Sequence, residues 1–214
     1  FRNYVNKIWN ISRYCLSSSA KFSLREKLSS QDFKTPADRW IVDKLDDLIQ
    51  ETNRLFENKQ ISLAADKIKT FTWNTFADWY VEIHKIEKND KILGYVLDKI
   101  LKLSHPFTPF VTEEIFQLLN PKKKKMLMLS RWPSVSRKKI EKNIPGKNFE
   151  TILDAVVRIR NIRSIYKIDP QKKLDLTIRC QNQKFFNDNL PALRKLAQVD
   201  NIFIFKKAER PKNS

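Results

Sequence analysis

A mainly α-helical bundle followed by a small α/β unit is the architecture expected of this 214-residue chain. Three observations lead there. Five stretches in the first 120 residues repeat apolar groups at helical spacing, with capping residues or prolines between them. Beyond Pro121 the period changes: Leu174, Leu176 and Ile178 alternate with polar residues, and Ile202 to Phe205 is a second β-prone run. Glycine occurs only at Gly94 and Gly146, where average usage of about 7% would give roughly fifteen. A glycine-rich phosphate cradle is thereby excluded, because it needs several glycines within one turn. The expected division is residues 1–120 for the bundle and 121–214 for the α/β unit.

The first element spans residues 1 to 18. Its apolar stripe is Val5, Ile8, Trp9, Ser12 and Leu16, and its polar stripe is Asn3, Asn6, Lys7, Asn10, Arg13 and Tyr14. After a Ser/Lys-rich linker from Ser17 to Lys34, Thr35-Pro36-Ala37-Asp38 has the form of a capping box with proline at the first helical position. The helix it starts, about Ala37 to Glu57, buries Trp40, Ile41, Leu45, Leu48, Ile49 and Leu55 in this reading. A third runs from near Ser62 to about Lys85, with Ala65, Ile68, Phe71, Phe76, Trp79, Tyr80 and Ile83 on its core face. Asn89 or Asp90 caps a fourth that ends near Ser104. His105-Pro106 breaks it, and Thr108-Pro109 opens a fifth through Phe116 to Leu119. Met126 to Leu129 with Trp132-Pro133 reads as a strand leaving the bundle. A helix from about Asn148 to Tyr166, the first strand, helical sequence from about Lys184 to Gln198 and the second strand complete the chain.

The 42 Lys and Arg outnumber the 24 Asp and Glu, for a net charge of +18. The first 120 residues carry 18 basic and 16 acidic groups, the last 94 carry 24 and 8, so the excess lies almost wholly after the bundle. Such a field favours polyanions, nucleic acid before anionic membrane, and is also what a plain solubilising surface looks like. Lys122 to Lys125 reads as an exposed loop. Cys15 and Cys180 match no zinc or redox spacing, and no metal site is expected. His84 and His105 stand alone and read as structural; Asp46-Asp47 and Glu113-Glu114 read as solvated surface. No Ser/His/Asp set is present. No apolar run approaches 18 residues and the start is not leader-like, so a soluble, intracellular, cytoplasmic protein is expected, without a membrane partner.

Two stripes carry candidate chemistry. On the first helix, amides, cations and a phenol share one side with no carboxylate among them. Amide and guanidinium groups can read base edges, and a tyrosine ring can stack on a splayed base; a plain solvated face is the alternative. On the third helix Asn74, Asp78, Glu82 and Lys85 line up opposite the apolar face. A carboxylate there either pairs with a cation inside the bundle or accepts from a base amino group such as cytosine N4.

Taken in order, RNYVNKIWNISRY (Arg2 to Tyr14), ADRWI (Ala37 to Ile41), FTWNTFADWYVE (Phe71 to Glu82), HPFTPFVTEEI (His105 to Ile115), MLMLSRWP (Met126 to Pro133) and VVRIRNIRSIYKIDP (Val156 to Pro170) resemble the region that follows the catalytic domain in class I valyl-tRNA synthetases. The HPFTPF turn is shared with leucyl and isoleucyl relatives, so an isoleucyl identity is the nearest alternative within the synthetases. A non-specific basic RNA-binding module is the alternative outside them. The resemblance implies an anticodon-binding bundle of the class I type and a small α/β subdomain, with a tRNA(Val) anticodon stem-loop as partner, the catalytic domain of the same polypeptide beside it, and a monomer. It implies that Lys7, Arg13, Tyr14, Val81 and Glu82 read the anticodon, with Asn6 and Asn10 beside them. The family's HIGH and KMSKS motifs, its coiled-coil arm and an arginine preceding position 1 have no counterpart here. No cofactor is therefore expected in this stretch, ATP belonging to the full-length enzyme, and the stretch alone is not expected to activate valine.

Overall fold

The chain divides into two units, Phe1–Lys147 and Asn148–Ser214, and its structure, a computed structural model, describes residues 2–19, 22–121, 125–135, 149–169 and 172–206. The first unit is helical: α1 (Arg2–Ser18), α2 (Pro36–Glu57), α3 (Ile61–Thr70), α4 (Val81–Glu87), α5 (Asp90–Ser104) and α6 (Pro109–Leu119). Between α3 and α4, Phe71–Tyr80 is wound as a π-helix. Residues at both junctions keep right-handed helical dihedrals, so Ile61 to Glu87 forms one continuous rod. α5 is buried on all sides from Ile92 to Ser104, and α1, α2, α3, α4 and α6 all touch it. A helix buried all round belongs at the centre of a bundle, and the polar groups it takes inside, Asp98, Lys99 and Lys102, are paired with one another.

The expected helices are present with ends shifted by a residue or two, which is the precision of local signals. Thr35 caps α2, its hydroxyl accepting from the Asp38 amide at 3.3 Å, with Pro36 first in the helix. The reciprocal half of the box is displaced by one residue: the Asp38 carboxylate accepts from the Lys34 amide at 2.9 Å.

Three expectations are corrected. The buried stripe of α1 is Tyr4, Ile8, Ile11, Ser12 and Cys15, and it leaves Trp9 and Leu16 exposed. At 100° per residue the two choices differ by a rotation that amphipathicity alone does not settle; contact with α5, α6 and the π-helix settles it. The run from Met126 forms no strand but a single 3₁₀ turn, Leu127–Leu129. It is pinned to the bundle by Glu113, whose carboxylate accepts from the Leu127 amide at 2.9 Å, and by Trp132, which donates to Asn53 at 2.7 Å. Glu113 is thus not a solvated surface acid, and neither is Asp46, which is fully buried.

At the start of the π-helix the Thr72 hydroxyl donates back to the Ile68 carbonyl at 2.8 Å. At the far end, the Val81 amide donates to the Phe76 carbonyl five residues back. The wider turn shifts the buried set to Phe71, Thr72, Phe76, Ala77, Tyr80 and Val81, and Trp79 is only half-buried.

Glycine scarcity shows at the helix ends. Lys59, Lys88, Lys167 and Gln198 adopt positive φ where glycine is usual, at about 1–2 kcal/mol each. Gly94 is kept for a different reason: a Cβ there would collide with the Ser23 carbonyl oxygen of the linker crossing α5.

The second unit contains α7 (Phe149–Ile165), β1 (Leu174–Cys180), α8 (Gln183–Asp188), α9 (Leu190–Ala197) and β2 (Val199–Lys206). β1 and β2 pair in parallel, joined by the α8–α9 crossover, and a register irregularity separates Leu174↔Val199 from Leu176↔Ile202. The buried Arg163 guanidinium donates to the backbone carbonyls of Lys172 at 2.8 Å and Gln198 at 2.7 Å, which ties the end of α9 to α7. Of the lysine run expected as a loop, Lys122 to Lys124 lie outside the described residues. No helix among the described residues is long and apolar enough to cross a membrane.

Two expectations can be measured. Gly94→Ala should lower stability by about 1–3 kcal/mol, the usual cost of overpacking, read as a lower urea midpoint. Burial pushes the Glu87 carboxyl up to about 7 from an ordinary 4.5. Its contribution to stability is therefore fully present below 4.5 and lost as pH rises through 7. Glu87→Gln should remove that dependence, so urea titrations at pH 5 and pH 8 should show the variant gaining on the wild type at the higher pH.

Candidate anticodon-reading seam

α1 and the Ile61–Glu87 rod run side by side in the same direction. Tyr4 meets Thr72, Lys7 meets Asp78, and Tyr14 meets His84, so chain numbers rise together along both helices. Of the sequence-nominated residues, Lys7, Tyr14 and Glu82 lie along this seam.

At one end the Tyr14 hydroxyl is 2.8 Å from His84 Nδ1, and His84 Nε2 is 3.0 Å from Asp90 Oδ1. Burial holds the His84 pKa below its ordinary value, so the ring is neutral at pH 7. With Asp90 accepting, Nε2 carries the proton, leaving Nδ1 to accept from the Tyr14 hydroxyl. Burial, with the carboxylates of Asp90 and Glu82 adding to it, pushes the Tyr14 phenol up to about 12, which keeps it a donor. The ring is half-buried, and the Lys85 ammonium lies 5.8 Å from its centroid.

Lys85 also binds Glu82 Oε1 at 2.6 Å, so Tyr14, Glu82 and Lys85 meet although the first lies about seventy residues from the others. This pair leaves the second Glu82 oxygen as an acceptor on the half-exposed face. One turn back, Lys7 is 2.9 Å from Asp78 and 4.9 Å from the Trp73 ring centroid. The Asp78 carboxylate is thus satisfied within the bundle, which is one of the two fates open to an acid in that stripe.

Asn6, Asn10 and Arg13 are exposed. Arg13 and Asn6 face away from the buried stripe of α1, while Lys7 and Tyr14 flank it on the side of the rod. Val81 is 6% exposed, packed inside the bundle by the π-helical shift. His84, which the sequence marks only as structural, Asp90, which it marks only as a possible helix cap, and Trp73 take their places here through partners on another helix. The expected structural role of His105 has a concrete form, its Nδ1 lying 2.8 Å from the Thr112 hydroxyl. Among the described residues no group of three or more His, Cys, Asp or Glu is placed to hold a metal ion.

Comparison with known proteins gives the family of the chain. The family model described as the anticodon-binding domain of tRNA ligase matches residues 38–178. The chain is similar to the valine--tRNA ligase of Clostridium acetobutylicum, 34% identical over all of this chain and 25% of that protein. It is likewise similar to the valine--tRNA ligases of Clostridium tetani, at 31% over all of this chain, and of Syntrophotalea carbinolica, at 31% over 99% of it. The chain spans about a quarter of the length of the curated relatives it matches.

The phenol–imidazole contact has a stability consequence. Tyr14→Phe keeps the ring but strands the buried His84 Nδ1 without a donor, and should cost about 1–3 kcal/mol in urea unfolding.

Proposed function

Because the chain belongs to the family of anticodon-binding domains of tRNA ligases, we propose that it reads the anticodon of a valine tRNA, as part of a longer valine--tRNA ligase. The observation that carries the reading is the meeting of Tyr14, Glu82 and Lys85 across the seam. Valine codons begin GU, so each cognate anticodon has A in the middle and C third. Tyr14 supplies a ring for stacking, held in place by His84. The Glu82 oxygen not used by Lys85 accepts from the cytosine N4 amino group and repels uracil O4. Arg13 and Lys7 hold base edge or phosphate, with Asn6 and Asn10 as exposed amides beside them. Val81 serves by packing behind Glu82, since its own side chain is buried.

In this reading residues 1–120 carry selectivity and residues 121–214, with 24 basic against 8 acidic groups, supply sequence-blind attraction to phosphate. The chain acts as a single copy in the cytoplasm. Valine activation with ATP belongs to the remainder of the longer polypeptide, and the 214 residues alone are not expected to perform it.

Binding of a valine anticodon stem-loop to Glu82→Gln and to Arg13→Ala tests the assignment. Each should weaken the cognate or relax selectivity by about fivefold or more, as a lost base contact does. Losses below twofold in both would overturn it. Equal affinity of the wild type for cognate and scrambled loops, with one steep salt slope, would make the chain a non-specific RNA-binding module instead.

A further inference from the structure

We propose that the cleft at the other end of the seam, between α1 and the start of the π-helix, receives a further nucleotide of the same RNA loop, outside the two bases read near Glu82. This rests on the anticodon reading above and extends it to residues that reading leaves unused. The cleft has a volume of about 540 Å³ and is lined by Arg2, Asn3, Tyr4, Lys69, Thr70, Trp73 and Asn74. That size lies within the range of about 300–1,000 Å³ typical of small-ligand sites.

Its lining is what a nucleotide needs. Trp73 contributes an indole, the largest side-chain surface for stacking on a base, and Lys7 lies over that ring as a neighbouring cation. Asn3 and Asn74 each present an amide with both donor and acceptor, the pair of functions a base edge shows. Arg2 and Lys69 are the charged groups of the lining; both are cations, and no carboxylate lines the cleft, a balance that favours a phosphate. Arg2, Asn3, Lys69 and Asn74 are exposed and make no side-chain hydrogen bond or ion pair among the described residues. Tyr4, by contrast, is spent on structure, its hydroxyl 2.6 Å from Ser104 and 3.3 Å from Thr72. It forms a fixed floor beneath the cleft.

The spacing is suitable as well. From Arg2 to Tyr14 the seam extends about 18 Å at the α-helical rise, more than two bases occupy at a stacking distance of about 3.4 Å. A loop whose middle and third anticodon bases sit near Tyr14 and Glu82 therefore has an adjoining nucleotide to place farther along, and the cleft is the concave feature there.

The experiment uses the 214-residue chain and valine anticodon hairpins carrying an abasic site at each loop position in turn. For the wild type, one position other than the middle and third anticodon bases should lose about fivefold or more in affinity. The double variant Arg2→Ala/Asn74→Ala changes exposed residues and should keep its circular dichroism spectrum. In it the penalty at that one position should fall below twofold, while penalties at the middle and third bases persist. Trp73→Phe should retain the penalty and Trp73→Ala should lose it. Equal penalties in wild type and variants at every position, or no wild-type penalty beyond the two bases, would overturn the cleft and leave the anticodon reading standing. Failure of the wild type to separate cognate from scrambled hairpins would overturn both.

Discussion

The Asp38 carboxylate at the start of α2 is 1% exposed and accepts hydrogen bonds from three parts of the bundle: the Lys34 amide, the Tyr80 hydroxyl at 2.7 Å and the Asn89 side-chain amide. A buried carboxylate without such partners costs several kcal/mol, so all three must arrive together or the bundle does not close. Asn89 passes the constraint on by donating to the Asp32 carbonyl at 2.8 Å, and Lys91 holds the Asp32 carboxylate at 2.6 Å. The start of α2, the end of the π-helix and the start of α5 are thereby set against one another. Burial and the neighbouring Asp38 push the Tyr80 phenol well above its ordinary pKa, which keeps it the donor this arrangement requires.

The same corner positions the candidate site. Asp90, one residue beyond Asn89, orients His84, and His84 orients Tyr14. A network that closes the bundle at Asp38 thus also orients the candidate residues four positions past Tyr80. The buried groups along it respond to pH in opposite senses. Neutral His84 favours the fold above its ordinary pKa of 6.5, a contribution lost as pH falls through its lower folded value, whereas Glu87 favours the fold at low pH. Their effects oppose each other below 6.5, where the two titrations overlap.

Net charge and the proposed selectivity lie in different parts of this molecule. The bundle is nearly neutral, and several of its cations are committed: Lys7 to Asp78, Lys85 to Glu82, Lys99 and Lys102 to the buried Asp98. In the second unit Arg160 and Arg163 donate to backbone carbonyls at the end of α9. A tally of basic residues therefore overstates the field available to a phosphate. What distinguishes the seam is placement, one carboxylate with a free oxygen beside a ring and a cation.

The sequence by itself determined the helices, the cap at Thr35, the start of α6 at Pro109, the strand alternation at Leu174 to Ile178, and the family through its motifs. These are local properties, written in periods of 3.6 and 2 and in side chains that satisfy nearby backbone groups. It also marked Lys7, Tyr14 and Glu82, whose residue types suit the proposed reading. Only the tertiary structure decided the phase of each face. Contact with the bundle rotated α1 so that Ile11 and Cys15 went in and Trp9 stayed out, and the π-turn moved Val81 inside. It alone paired Lys7 with Asp78, 71 residues away, and hung Tyr14 on His84. Such pairings depend on which helices become neighbours, and that follows from closing a shared core around α5 rather than from any spacing along the chain.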